Sequence, residues 1–366
     1  MSRPIGWLWL VLLGTGCSDL PAERAERDLE VGLAEAGGVR FVVTDGLAAV
    51  RQAVPGQLVL WSSAPSFEMS ADAAADATSS WLVELRNVMP GARLEAFSSA
   101  DQPIAVTELD APLPTRRLVE LELPAASRSV LRLVPPEPAE PGRVRVAVLG
   151  DIQGGIDRLG DLLGPIGAEP GVELLLEMGD LTQGGTAEEM DRVELAFAAL
   201  PLPVYSAIGN HDAPADTPWH DHFGRANQRF VYGGIQFTLV DSAGATVSSL
   251  AYDWLEGWLD EGRARTHVVT MHIAPLDPVG LRNGSFASRA EAGRMLELLA
   301  IGQVDLTLYG HIHSYYAFEN AGIPAFISGG GGASEERPSG PGRHYLVIDL
   351  DSARGLVGTR MVPIGD

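Results

Sequence analysis

The alternation of apolar and polar positions changes style along the chain. From Val39 to about Val134, short runs such as "VRFVV", "QLVLW", "WLVELRNV", "RLVELEL" and "SVLRLV" are separated by Gly, Pro, Ser and Asp. Runs of this length, rich in β-branched and aromatic residues, predict a small all-β, immunoglobulin-like sandwich over residues 39–134. The stretch "VPPEPAEPG" then supplies a stiff Pro-rich linker, 135–142, and marks a domain boundary. Beyond it, strand-like apolar runs alternate with "TAEEMDRVELAFAAL" and "SRAEAGRMLELLA", whose apolar residues recur at helical spacing. Residues 143–366 therefore read as an α/β domain.

The beginning of the chain has another character. "MSRPIGWLWLVLLGTGC" places Arg3 ahead of an apolar run and small residues, the layout of an export signal too short to span a bilayer. Its end resembles a bacterial lipobox, which implies that residues 1–17 form a signal peptide and that Cys17 is the lipidation site. That resemblance implies an exported protein held in the cell envelope, at the outer membrane or the periplasmic face, touching the membrane through its lipid anchor only. Residues 18–38, "SDLPAERAERDLEVGLAEAGG", read as a polar tether, helical in part.

Charge and composition remove several classes of function. With 48 acidic against 26 basic residues the formal charge is −22, so the overall field repels a nucleic acid backbone and none is expected as a partner. All 26 basic residues are arginine, which removes Schiff-base chemistry and the lysine of a P-loop. Cys17 is the only cysteine, so an intramolecular disulfide and a Cys-rich zinc site are both excluded.

The chemistry-bearing pattern lies at five strand ends of the second region. "VRVAVLG" runs into Asp151 and Gln153, "VELLLEMG" into Asp180, and "VYSAIG" into Asn210, His211 and Asp212; "THVVTMH" ends on His272, and "VDLTLYG" runs into His311 and His313. In open α/β sheets the carboxyl ends of strands line the crevice where ligands sit. Taken singly, each is an ordinary polar residue at a turn. Together they gather oxygen and nitrogen donors on one edge, where polar groups without partners would be costly.

These motifs resemble those of the calcineurin-like metallophosphoesterases, over about residues 143–350. The resemblance implies two β-sheets packed face to face with helices outside, a four-layer α/β/β/α sandwich. It implies two divalent ions, manganese first with iron or zinc as alternatives. One would be held by Asp151, Gln153, Asp180 and His313, the other by Asp180, Asn210, His272 and His311. It further implies a hydroxide mechanism on phosphate monoesters, diesters or diphosphates, with small phosphate-ester or nucleotide-type substrates and His211, oriented by Asp212, as general acid. Gln153 departs from the histidine usual at its position, which suits a harder ion, and Gln183 stands where a purple acid phosphatase would need tyrosine. That first departure keeps a second reading open, a catalytically weak or inactive scaffold lipoprotein. "WHDHFG", with His220 and His222, reads as a mobile loop near the site mouth.

Overall fold

A computed structural model describes residues 20–109, 111, 113–280, 284–336 and 340–365. Cys17 and the proposed signal lie outside the described residues. Among the described residues no helix is long and apolar enough to cross a membrane.

The first β region forms two sheets. One has six strands, in the order Leu33–Ala36, Val39–Val43, Phe67–Ala73, Ser127–Val134, Arg93–Ser98 and Pro103–Ile104. The other has five: Ala48–Val54, Gln57–Ser62, Ser80–Arg86, Arg116–Glu122 and Val106–Leu109. Alternation decides which side chains turn inward: Val39, Phe41 and Val43 are buried while Arg40 is exposed. Phe41 meets Trp81 of the opposite sheet edge-on at 4.8 Å. Most pairings are antiparallel, but Gln57–Ser62 runs parallel to Ser80–Arg86.

The α/β region builds two mixed sheets. The five-stranded sheet runs Val204–Ser206, Val172–Glu177, Arg143–Leu149, His344–Asp351, Gly355–Pro363. The six-stranded sheet runs Gln228–Tyr232, Ile235–Val240, His267–Met271, Leu306–Tyr309, Ile323–Ser328, Tyr315–Asn320. Val146, Val148, Leu174 and Leu176 of the first belong to one buried cluster with Phe237, Leu239, Val268 and Leu308 of the second. The first sheet's other face packs Leu162, Ile166, Met190 and Phe197 of helices Gly160–Ala168 and Ala187–Ala198. Helices Ser249–Gly262 and Arg289–Ile301 cover the second sheet through Tyr252, Leu255, Met295 and Leu299. The result is four layers, helix, sheet, sheet, helix. Helix starts follow local chemistry: Thr186 and Glu189 form a reciprocal capping box, and Ser248 and Ser288 cap the other two.

The expected spacer is corrected by the structure. Within 18–38, Leu20–Asp28 is a helix and Leu33–Ala36 pairs with Val39–Val43. The helix is docked: Arg24 forks onto Asp241 at 2.7 and 3.1 Å with both side chains buried. Fully buried Asp28 accepts from the backbone nitrogens of Ala226 (2.7 Å) and Asn227 (3.0 Å), and His220 Nε2 lies 3.0 Å away. Buried charges with this many partners read in the sequence as solvent-facing polarity, which is why the segment looks like a tether. His220 and His222 are likewise buried, in the short helix Trp219–His222, and are not part of a mobile loop.

The β region is pinned to the α/β region. The Asn87 side chain donates to the carbonyls of Ser62 and Val204, both at 2.7 Å, and accepts from Val204 N at 2.8 Å.

Candidate metal centre

Parallel strands deliver their carboxyl ends to one edge, and the chain must turn sharply as it leaves each. Four of the donor-bearing residues do so in the left-handed region: Asp151 (φ 63°), Gln153 (φ 45°), Asp180 (φ 61°) and His311 (φ 68°). For residues other than glycine this conformation costs of order 1–3 kcal/mol each and persists only where the surroundings enforce it. The enforcement is visible in the bonds between the turns. Asp151 N donates to Gly179 O at 3.0 Å and Gln153 N to Asp180 O at 2.9 Å. His211 N donates to Asp180 Oδ1 at 2.8 Å, and His311 N to the Asp151 carboxylate at 2.9 and 3.1 Å. Gly209 is required where two of these turns meet, because a Cβ there would collide with the Asp180 backbone nitrogen.

The turns bring all seven sequence-predicted ligand residues together. Ligand atoms of Asp180, His272 and His311 lie within 4.8 Å of one another, as do those of Asp151, Asp180 and His313. Asp180 belongs to both groups. His272 Nε2 stands 3.3 Å from Asp180 Oδ1 and 3.1 Å from Asn210 Oδ1, and His313 Nε2 stands 3.5 Å from Asp151 Oδ1. The His272 and His311 rings meet edge-on at 5.2 Å.

Backbone carbonyls select the ring nitrogen that faces the centre. His272 Nδ1 donates to Met178 O (2.8 Å) and His313 Nδ1 to Ser334 O (2.7 Å), which turns each Nε2 toward the donor cluster. This is the arrangement in which a second hydrogen bond fixes the tautomer of a metal-binding histidine. Two carboxylates, one of them the Asp180 common to both groups, and inward imidazole nitrogens are a donor set that fits divalent cations.

Gln153 is the exception. Its amide nitrogen points inward, 2.8 Å from Asp180 Oδ2 and 3.1 Å from His313 Nε2. Ligation requires the amide to rotate so that its oxygen takes that place.

Electrostatics follow from burial. Burial works against charge on either Asp180 or His272, but their mutual attraction outweighs it. Asp180 is held well below the usual carboxylate range by His272, and His272 is pushed up to about 9 by Asp180 and Asp151. Two further acids lie beneath the centre. Glu177, fully buried, is pushed well above the usual range by burial and by Asp212, and it accepts from Gly179 N at 2.8 Å. Asp212 is pushed up to about 6 by burial and by Asp180.

The role expected of Asp212 is corrected. Its carboxylate accepts from the backbone nitrogens of Leu181 (3.1 Å), Thr182 (2.9 Å) and Gly209 (3.0 Å) and from the Thr182 hydroxyl (2.7 Å). It braces the loops that carry Asp180 and Asn210 and does not orient His211. The His211 ring is set by Gln183 instead, with Nδ1 at 2.8 Å from its carbonyl oxygen. That bond fixes the Nδ1–H tautomer and makes Nε2 the atom that gives or takes a proton. The parts played by Gln183, Met178 and Ser334 were missed because they come from backbone carbonyls, which any residue type supplies. The one available signal was the glycine run before Ser334, whose backbone packs on that of Gly150 and Asp151.

A third acidic group, Asp191, Glu194 and His222, is of a different kind. Arg51 and Arg86 reach Glu194 at 2.9 and 3.0 Å and already supply the positive charge. The neighbouring cleft of about 430 Å³, lined by Trp61, Arg86 and Phe197 among others, is an ion-paired seam between the β and α/β regions.

Residues 144–315 match the family model described as calcineurin-like phosphoesterase. A 3′,5′-cyclic-nucleotide phosphodiesterase of Nostoc sp. is 28% identical over 158 residues, 40% of this chain and 58% of that protein. The 3′,5′-cyclic adenosine monophosphate phosphodiesterase CpdA of Pseudomonas aeruginosa is 28% identical over 162 residues, 40% of this chain and 57% of that one. The chain thus spans less than two thirds of the length of these relatives. Among solved structures, a dimetal phosphatase from Danio rerio aligns with 62% of this chain and 100% of its own at 14% identity and a TM-score of 0.45.

Proposed function

Because residues 144–315 of this chain are a calcineurin-like phosphoesterase domain, we propose that the protein is a metal-dependent hydrolase of phosphate esters, acting on small phosphodiesters or nucleotide-type substrates. The observation that carries this reading is the position of Asp180, whose carboxylate is common to both donor groups. One carboxylate with two oxygens suits two cations held about 3.5–4 Å apart. When bound, such a pair supplies positive charge for phosphate oxygens and makes water more acidic. Manganese is the preferred ion, because the amide oxygen of Asn210 and, once its amide has rotated, that of Gln153 would join the carboxylates in a hard donor set.

The protein's own groups account for the rest. Asp212 holds the two ligand loops in register. His211, doubly protonated, gives its Nε2 proton to the departing alkoxide and is recharged by the proton that the attacking water releases, while the Gln183 carbonyl keeps the Nδ1–H side of the ring in place. The overall change is water plus diester giving monoester plus alcohol.

We also read the chain as exported and lipid-anchored through Cys17, with the immunoglobulin-like 39–134 unit as a docking or supporting module. An inward amide nitrogen on Gln153 favours a second reading, an inactive scaffold that keeps the fold. One experiment separates the two. Chelator-stripped protein is reloaded with Mn, Zn, Fe or Mg separately and offered monoesters, linear diesters and cyclic nucleotides. The enzyme reading expects two metal ions per chain and metal-dependent turnover of a diester. Fewer than two ions with no turnover of any ester overturns it in favour of the scaffold.

A further inference from the structure

Beside the donor cluster lies a groove of about 320 Å³ built from distant parts of the chain. Leu20 and Pro21 of a helix wall line it together with Asn210 and Ala213, the former in contact with His272 of the donor cluster, and with Ala243 and Thr246. We propose that this groove receives the organic substituent of the substrate and selects for an uncharged, apolar alkyl or aryl group, which narrows the substrates proposed above to small apolar phosphodiesters and away from nucleotides. The inference rests on the phosphoester reading above, since Asn210 belongs to both the groove and the donor cluster.

The first argument is rigidity. The wall is the N-terminal helix, held by the Arg24–Asp241 fork and by the backbone nitrogens that converge on Asp28. Gly244 fits closely beneath it, for a Cβ there would come within 2.9 Å of Pro21 Cγ. A surface fixed in this way discriminates by shape, because little freedom is lost when a ligand enters.

The second argument is chemical. Among the described residues Arg24 is the one charged side chain lining the groove, and its guanidinium is engaged by Asp241. The Thr246 hydroxyl donates to the Glu291 carboxylate at 2.8 and 2.9 Å. Asn210 remains as the polar group, and it faces His272. A sugar or a charged headgroup would lose its water here without gaining partners. An apolar group loses nothing polar and gains contact with Leu20, Pro21 and Ala243.

Phosphonates test this without any chemical step, since each carries one substituent on a group the metals can hold. With the manganese-loaded full chain, benzylphosphonate should bind at least tenfold more tightly than methylphosphonate in a competition assay. Leu20→Ala should reduce that preference several-fold and Ala213→Phe should abolish it, while methylphosphonate affinity and metal content change by less than twofold. Equal binding of the two phosphonates, or a preference untouched by both substitutions, overturns the groove assignment and leaves the phosphoester reading standing. If neither phosphonate binds the loaded chain, the phosphoester reading falls and the groove assignment falls with it.

Discussion

His211 Nδ1 lies 2.8 Å from the carbonyl oxygen of Gln183, so a main-chain atom, and not the adjacent Asp212, sets the orientation of the ring. The two neighbouring residues should therefore fail in different ways. His211→Ala should retain both metal ions and an unchanged melting temperature while turnover falls by about 10²–10⁴. Asp212→Ala strands three buried backbone N–H groups and should cost several kcal/mol of stability, roughly 3–5, with metal content falling as well. Metal analysis and thermal melts on the two variants check this. Loss of metal in the first, or a stable metal-replete second, would contradict the assignment.

Gln153→His should raise zinc affinity by about tenfold or more, because imidazole replaces an amide that has to rotate before it can ligate. Manganese should gain less. Competitive loading followed by elemental analysis reads the ratio, and an unaltered preference would show that Gln153 does not face the metal.

Arg24→Ala leaves Asp241 buried without its counter-ion, a change that costs about 3–5 kcal/mol where the structure cannot relax. The helix Leu20–Asp28 provides a route of relaxation, since it can undock. The expected result is therefore a smaller loss of global stability together with new protease cleavage near residues 20–32. A variant as resistant as the parent would mean that Asp28 alone holds the helix.

His267 gives a pH dependence remote from the metal centre. Burial pushes it down to about 4, and its Nε2 lies 2.8 Å from Thr238 Oγ1 and 3.2 Å from Gln236 Nε2, neither of which can neutralise a positive charge. Asp305 accepts from its backbone nitrogen and not from the ring. The unfolded chain takes up this proton first, near pH 6.5. The contribution is complete above about pH 6.5 and erodes as the pH falls toward 4, by roughly 2 kcal/mol at pH 5. Denaturant unfolding of the parent and of His267→Gln at about pH 7.5 and pH 5 isolates it. The variant should lose less stability on acidification, and identical losses would refute the assignment.

Much of the centre was legible because its chemistry sits at strand ends. Each candidate ligand follows or ends an apolar run, and Gly150, Gly179, Gly209 and Gly310 announce the turns that aim Asp151, Asp180, Asn210 and His311. The two-sheet core with outer helices was legible for a related reason, since period-2 and helical patterns survive wherever one face is buried. What escaped the sequence was polarity turned inward. Arg24, Asp28 and His220 have the composition of a surface, and only the fold shows them buried against one another. Asp212 was legible as a site residue but not in its role, because what distinguishes a brace from a partner is which donors the tertiary structure presents to it.

The Asn87 amide has a consequence for solubility. Val204–Ser206 is a terminal strand of its sheet, and such strands offer free N–H and C=O groups on which other chains can template. Asn87 saturates both backbone groups of Val204 and so acts as a stopper against lateral growth. A fragment beginning at Arg143 would keep the candidate metal-binding residues yet expose that border, and its characteristic failure would be self-association rather than loss of the proposed site.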